Sequence, residues 1–482
     1  MADLKDKFVF QLITGASQVL VPLLVYPYVT RVLGPQQLGI VNYIDFLSQM
    51  FIIFAAFGIP FYAIREVATV RNNPEARSVL IQELLSLHFL FTLAALLFFV
   101  LFTYNRWQDH GMLYLLAAGN IFISIFTLDW YMQGMELFGY SAIRYLVVRL
   151  LLIAGFFLLV HSSQDVTAYL AIYSFGYLAM AFVHARKMWL DNIWIRKPLQ
   201  LKRHMRPLWH FFLTSSAISL YIYFDTVLLE RITGSPVLVG YYTTAVKLVK
   251  VFLVALLALG TVLLPRLSYL VNEGKLEEAT RHLQTNLDFI WVVGLPVSAG
   301  IFLLAPEAMF LIAGNEFAQA APLLQIMALI PLVIALSNLF CFQTLVPFKM
   351  ERRFLLVVAT GSVLSILLNV LLIPYWGAAG SAWANLITET YIAGLSAYFA
   401  GRLIRFQIPQ RMYLSTLFCC LLFWPLIEGF RMLVSSPLLL FMIAVSSCML
   451  LYYFLQRFVF RNPVLLLIED YFVKLSGRFR LR

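Results

Sequence analysis

The sequence is short of charge. Only 12% of its 482 residues are charged, against 62% hydrophobic, whereas a soluble chain is nearer half apolar and a quarter charged. That shortage excludes an ordinary water-soluble domain. Cysteine is scarce too. Cys341, Cys419, Cys420 and Cys448 all fall in apolar runs without metal-ligand spacing, so they read as small core residues, and no metal or cofactor is expected. There is no GxxxxGK[ST] run, no GxSxG and no HExxH, which leaves nucleotide and hydrolytic chemistry without a carrier. No connection between apolar runs exceeds about twenty residues apart from the tail, too little for the aqueous loop a membrane glycosyltransferase or polymerase usually needs. A cleavable signal peptide is not expected either: Met1 to Lys7 is polar, and the apolar run that follows is too long and lacks a small-residue cleavage site.

What the sequence does contain is apolar runs of about twenty residues, each long enough to cross a bilayer as a helix. Barrel strands would alternate apolar and polar over about ten residues, and these runs do not. The expectation is an all-α polytopic membrane protein with about fourteen transmembrane helices. The expected spans are 8–30, 38–63, 79–103, 112–136, 143–160, 167–185, 207–230, 237–265, 285–313, 321–347, 354–374, 377–401, 412–430 and 436–456. Breakers punctuate the turns, among them Gly34-Pro35, Gly234-Ser235-Pro236, Gly314-Asn315 and Gly377.

The net charge of +11 does not point to nucleic acid, because the cations sit in short turns between spans. With the N-terminus in the cytoplasm, 28 of the 35 Lys and Arg residues fall in interior turns or termini, 4 in exterior turns (Arg31, Arg106, Arg231 and Arg431) and 3 within spans. That is the positive-inside pattern. A missed or extra span in the middle would destroy it, so it supports the count and places both termini in the cytoplasm. The longest interior connection, 186–206, carries seven basic residues with Trp189 and Trp194. It is expected to lie on the inner headgroup surface as a topology anchor.

An internal repeat runs through the chain. Arg31-Val-Leu-Gly34-Pro35 is echoed by Arg231-Ile-Thr-Gly234-Ser235 at an offset of 200. After one inserted residue, Gly39 matches Gly240 and Arg65 matches Arg266 at 201. The period is six spans, an even number, so the halves share one orientation and are related by an axis along the membrane normal. The expected divisions are an N-lobe over 1–205, a C-lobe over 206–405, and two further helices with a basic tail over 406–482.

A charge in the bilayer core costs roughly 2.5–3.5 kcal/mol even on the lenient insertion scale, so such residues mark a cavity or a partner. Thr243, Lys247 and Lys250 share one helical face, and Lys247 falls near the midplane. Offset 201 maps Thr243 onto Asn42 and Lys250 onto Gln49. Asn42, Asp45 and Gln49 form a polar stripe of their own, and the two stripes read as walls of a central cavity. Span 1 adds Gln18, and span 5 adds Arg149, which is close enough to the inner face to snorkel. Asp225, Asp45, Asp129 and Glu389 are candidates for binding a coupling ion. The competing reading for any one of these charges is a structural pair, for instance Lys247 with Asp225. His88, His184 and His210 lie near span ends and read as interfacial.

Several segments resemble the polysaccharide-export (Wzx-type) branch of the MOP superfamily, the bacterial oligosaccharide flippases. Pro27-Tyr-Val-Thr-Arg-Val-Leu-Gly34-Pro-Gln-Gln-Leu-Gly39 looks like that family's first periplasmic turn. Phe224-Asp225-Thr-Val-Leu-Leu-Glu-Arg-Ile-Thr-Gly234 with Val239-Gly240-Tyr-Tyr-Thr-Thr-Ala-Val-Lys247 is similar to its passage from span 7 to span 8. Leu264-Pro-Arg-Leu-Ser268, Asn315-Glu-Phe-Ala-Gln-Ala-Ala-Pro322 and Ile373-Pro-Tyr-Trp-Gly377 resemble later turns. The resemblance implies a V-shaped, MOP/MATE-like pair of pseudo-symmetric six-helix lobes plus two C-terminal helices, in a bacterial inner (cytoplasmic) membrane, alternating between inward- and outward-open states. It implies a lipid-linked oligosaccharide on undecaprenyl diphosphate as cargo, membrane lipids as surroundings, a coupling ion (H+ or Na+) and polysaccharide-assembly proteins as partners. Lys247 and Lys250 would meet the diphosphate, and the sugars would meet the Asn, Gln, Thr and Tyr stripes. Enzyme activity is not expected. The competing functions are a cation-coupled multidrug or metabolite antiporter of the same superfamily, a membrane scaffold in envelope assembly, and a membrane glycosyltransferase. The buried acids support the antiporter and the lysine pair opposes it. The polar stripes oppose the scaffold, and the short turns oppose the glycosyltransferase.

Overall fold

The computed structural model describes residues 2–192, 197–466 and 469, with the side chains of 2–23, 138, 214, 215, 217–222, 255, 258, 261 and 262 outside the description. Among the described residues all regular structure is helical, as a bilayer demands of a chain that must satisfy every backbone group internally. The chain divides into two compact units, Met1–Thr243 and Thr244–Arg482. The first contains α1 (Ala2–Ala56), α2 (Ile59–Val70), α3 (Pro74–Thr103), α4 (Trp107–Ile123), α5 (Asp129–Gly134), α6 (Phe138–Leu159), α7 (Val166–Asp191) and α8 (Lys202–Thr233), and α9 (Pro236–Asn272) begins in it. The second continues with α10 (Leu276–Leu303), α11 (Ala305–Ala313), α12 (Ala321–Ile326), α13 (Ile330–Ser337), α14 (Glu351–Trp376), α15 (Ala378–Gly401), α16 (Gln410–Leu433) and α17 (Pro437–Phe454).

Ten helical stretches among the described residues are long and apolar enough to cross a membrane. One of them, Pro74–Gly134, contains the expected span 79–103 and all but the last two residues of 112–136. Expected spans 207–230 and 377–401 coincide with α8 and α15, helices of 32 and 24 residues outside those ten. The chain is a multi-pass, all-helical membrane protein.

The breakers act where expected. Gly34, inside α1, and Gly234, at the end of α8, adopt φ of 68° and 61°, a left-handed conformation that a β-carbon disfavours. They sit at equivalent places in the repeat. Other spans are more broken than their hydrophobicity suggests. The expected 38–63 span ends early, at Phe57 and Gly58, both with positive φ. The Phe57 ring stacks on Phe91 at 4.1 Å and on Phe212 at 4.2 Å. A β-carbon on Gly58 would fall 2.6 Å from the Phe212 amide nitrogen. The expected 112–136 span is interrupted by a 3-10 turn, Ser124–Phe126. The 321–347 span is a chain of short helices ending in a π-helix, Asn338–Leu345.

The 186–206 connection is tied down rather than simply resting on a surface. Arg77 of α3 donates to Asn192 Oδ1 (2.7 Å) and to the Asp191 carbonyl (2.5 Å). Glu83, also on α3 and fully buried, accepts from the Gln200 backbone N–H (2.7 Å), from His204 Nε2 (2.9 Å) and from Arg203. His204 Nδ1 lies 2.8 Å from the Tyr62 hydroxyl. Trp189 is 62% exposed, while Trp194 and the basic tail beyond Glu469 lie outside the described residues.

In the second unit, Leu256, Leu267 and Leu270 of α9 pack with Leu283 and Ile290 of α10 and Leu332 of α13. Phe423 and Ile427 of α16 pack with Ala444 and Cys448 of α17. Arg431 of α16 is bound to Glu307 of α11 at 2.9 Å. This cation in the last turn of α16 thus serves as a latch between elements.

Candidate functional site

The start of α9 packs against α1 just after its break. A β-carbon on Gly39 would fall 1.7 Å from the Pro236 carbonyl oxygen, and one on Gly240 would fall 2.1 Å from the Pro35 carbonyl oxygen. Pro35 and Pro236, like Gly39 and Gly240, are separated by 201 residues. Each glycine therefore faces the proline of the other strip, a reciprocal contact that is the signature of a local two-fold axis. On the same seam Asn42 Nδ2 donates to Thr243 Oγ1 at 2.8 Å, with both residues almost wholly buried. The Thr243 hydroxyl in turn donates to the Val239 carbonyl at 2.8 Å. Asn42 and Thr243 are the repeat-equivalent pair of the two stripes, and here they touch.

Farther along α1, Gln49 Nε2 donates to the Tyr177 hydroxyl at 2.7 Å. Asp45 lies within electrostatic reach of Tyr169, Tyr173 and Tyr177 on α7 and of Tyr223 on α8. Along α9, Lys247 is half-buried and Lys250 exposed, one and two turns beyond the buried Thr243.

The remaining candidates fall elsewhere. Arg149 stands over the Tyr145 ring, 5.4 Å from its centre, and the Tyr145 hydroxyl donates to Asp129. Asp129 opens the short α5, within the membrane-length stretch Pro74–Gly134, with its side chain 46% exposed and 3.7 Å from His184 Nδ1. His184 and His88 are buried within the protein, and no hydrogen bond reaches the ring nitrogens of either. Asp225 is buried. It accepts from the Thr226 N–H at 2.6 Å and from the Tyr242 hydroxyl. Glu389 of α15 is 5% exposed, with no ion pair or side-chain hydrogen bond to it among the described residues. The side chain of Gln18 lies outside the described residues.

Sequence reasoning expected tyrosine stripes facing the sugars but did not say which tyrosines form them. Tyr145, Tyr177 and Tyr242 are hydrogen-bonded to Asp129, Gln49 and Asp225, and Tyr169 and Tyr173 neighbour Asp45. The available signal was the four-residue spacing of Tyr169, Tyr173 and Tyr177. Among the described residues no group of three or more His, Cys, Asp or Glu could hold a metal ion, and the four cysteines are free and buried.

The family model described as polysaccharide biosynthesis protein matches residues 4–271, more than half of the chain. The chain belongs to the polysaccharide biosynthesis protein family. This family member is 25% identical over 393 residues to a Shigella dysenteriae protein assigned as an O-antigen transporter, across 80% of this chain and 97% of that one. A protein of Escherichia coli (strain K12) with the same assignment is 23% identical over 412 residues, across 82% and 96%. Among solved structures, the lipid II flippase MurJ in an inward closed conformation superimposes with a TM-score of 0.74 at 14% identity, over 93% of this chain and 99% of that one. An inward-facing multidrug resistance MATE family transporter of the MOP superfamily gives 0.64 at 14%, over 80% and 94%. The fold of this polysaccharide biosynthesis protein is that of the MOP transporters.

Proposed function

We propose that the chain is not an enzyme but a flippase, which moves undecaprenyl-diphosphate-linked oligosaccharide repeat units from the cytoplasmic to the periplasmic leaflet in the synthesis of a surface polysaccharide. The observation that carries the reading is the lysine pair of α9, a half-buried Lys247 and an exposed Lys250, continuing the helix from the Asn42–Thr243 seam. Two cations on one face of a membrane helix suit a diphosphate, because charge-assisted hydrogen bonds strengthen where water is scarce. The relatives assigned as O-antigen transporters support it. With it go fourteen spans, a bacterial inner membrane, cytoplasmic termini, lobes over 1–205 and 206–405 with two helices after them, and alternating access.

For the coupling ion, we propose Glu389 ahead of Asp45, Asp129 and Asp225. Asp129 and Asp225 already accept from tyrosine hydroxyls, and Asp45 is set among several tyrosines. A buried carboxyl with no ion-pair partner is also what a cation-coupled antiporter would use, and it makes that the second reading.

The test is flux and membrane abundance measured side by side in the Lys247→Gln/Lys250→Gln double variant. Flux of the lipid-linked unit should fall at least about tenfold, the effect of losing charged hydrogen bonds, with abundance normal. Arg at either position should retain more flux than Gln, because it keeps the charge and grips phosphate. Normal flux in the double Gln variant would remove the diphosphate role.

A further inference from the structure

On α7, Tyr169, Tyr173 and Tyr177 follow one another at four-residue spacing and share a face. The opposite face carries Phe175, Leu178 and Phe182, which are 56%, 51% and 67% exposed and suit lipid. The tyrosine face looks instead toward α1 and α8. Tyr169 is buried against Phe156 at 5.2 Å and Tyr173 at 5.1 Å, which fixes the base of the ladder. Tyr173, Tyr177 and Tyr223 are each partly exposed, and so are Asp45 and Gln49 on α1. An acid and an amide on a membrane helix do not face hydrocarbon cheaply. Core packing alone would be served as well by phenylalanine, without hydroxyls to satisfy. Two helices, α7 and α8, thus bring tyrosines near the amide and the carboxylate of α1.

From this geometry we infer that Tyr173, Tyr177 and Tyr223, with Asp45 and Gln49, form a wall that binds the sugar rings of the cargo, a role that rests on the flippase reading. A pyranose has an apolar C–H face and a rim of hydroxyls. The C–H face stacks on the electron-rich face of a tyrosine ring. The rim hydroxyls donate to Asp45, whose carboxylate has about four lone-pair sites, and exchange hydrogen bonds with Gln49 and the tyrosine hydroxyls. The ligand class is an uncharged hexose or N-acetylhexosamine. A diphosphate does not suit this wall, because Asp45 repels it. An isoprenoid tail leaves the polar tips unmatched.

The full chain in lipid nanodiscs is tested for binding two probes, bare undecaprenyl diphosphate and undecaprenyl diphosphate bearing a neutral trisaccharide. The wild type should bind the sugar-bearing probe about tenfold more tightly, the size expected of one or two aromatic contacts. Tyr173→Ala should abolish that ratio and leave the bare probe's affinity unchanged, whereas Tyr173→Phe, which keeps the ring, should retain most of it. Should Tyr173→Ala fail to fold, Asp45→Asn provides the second reading, and it should lower the ratio several-fold. A wild type that binds both probes equally, or folded variants with an unchanged ratio, would overturn the sugar wall while leaving the flippase reading intact. A wild type that binds neither probe would overturn both.

Discussion

Asp225 in the first unit and Glu389 in the second are buried to nearly the same degree, 7% and 5% exposed, yet they are treated differently. Asp225 accepts a backbone N–H from Thr226 and the hydroxyl of Tyr242, one turn before Ala245 on the next helix. No side chain among the described residues donates to Glu389. Burial alone therefore does not distinguish an anchor from a switch; the donors do. An acid whose lone pairs are claimed holds two helices together and resists a change of charge. An acid without such partners can gain or lose a proton or a cation with little cost to the packing around it.

The sharpest way to break this contrast is to truncate both acids. Asp225→Ala removes the carboxylate that accepts from the Tyr242 hydroxyl and the Thr226 amide and should lower stability by about 3 kcal/mol, the upper end for losing hydrogen bonds to a buried charged group. Loss of membrane abundance and a lower melting temperature would register it, and an unchanged melting temperature would refute the anchor. A smaller effect is expected of Tyr242→Phe, which removes one charged hydrogen bond and should cost about 1.5–3 kcal/mol. Thermal unfolding of the purified protein measures it, and a cost equal to that of Asp225→Ala would mean the backbone amide contributes nothing. The smallest stability change belongs to Glu389→Gln. Nothing is left unpaired, so the melting temperature should move by the equivalent of less than about 0.5 kcal/mol. Transport, by contrast, should lose its dependence on the proton or sodium gradient. A Gln variant that still couples, or one that unfolds, would make Glu389 an ordinary core residue.

The features legible in the sequence were those written in period and punctuation. The offset of 201 made Asn42 and Thr243 repeat equivalents, though on separate walls of a cavity and not as the buried hydrogen-bonded pair they form, and Gly34 and Gly234 marked breaks that local sterics enforce. What escaped depended on distant partners. Phe57 and Gly58 break an unbroken apolar run because Phe91 and Phe212 are positioned to clasp the ring, and nothing near residue 57 announces those partners. Asp129 looked embedded because its neighbours are apolar, whereas the 3-10 turn before it places it at the head of a short helix. The connection 186–206 looked like a surface strap because its charges are basic. The acid that holds it, Glu83, lies more than a hundred residues away. Tyrosine stripes were expected in general terms, but which tyrosines form the ladder depended on their neighbours on other helices, such as Gln49 against Tyr177.

The close approach of Gly39 and Gly240 also constrains the history of the chain. If the two halves descend from one duplicated segment, the strip from Pro35 to Asn42 and the strip from Pro236 to Thr243 began identical and have since drifted to Pro-Gln-Gln-Leu-Gly-Ile-Val-Asn and Pro-Val-Leu-Val-Gly-Tyr-Tyr-Thr. Only the proline and the glycine still coincide, and they are the positions where each strip presses on the other's backbone. A bulkier residue at either glycine would have to be accommodated by the opposite strip, which is equally crowded. Neither copy could drift there alone, so these positions stayed fixed while Asn42 and Thr243 diverged to a pair that still hydrogen-bonds.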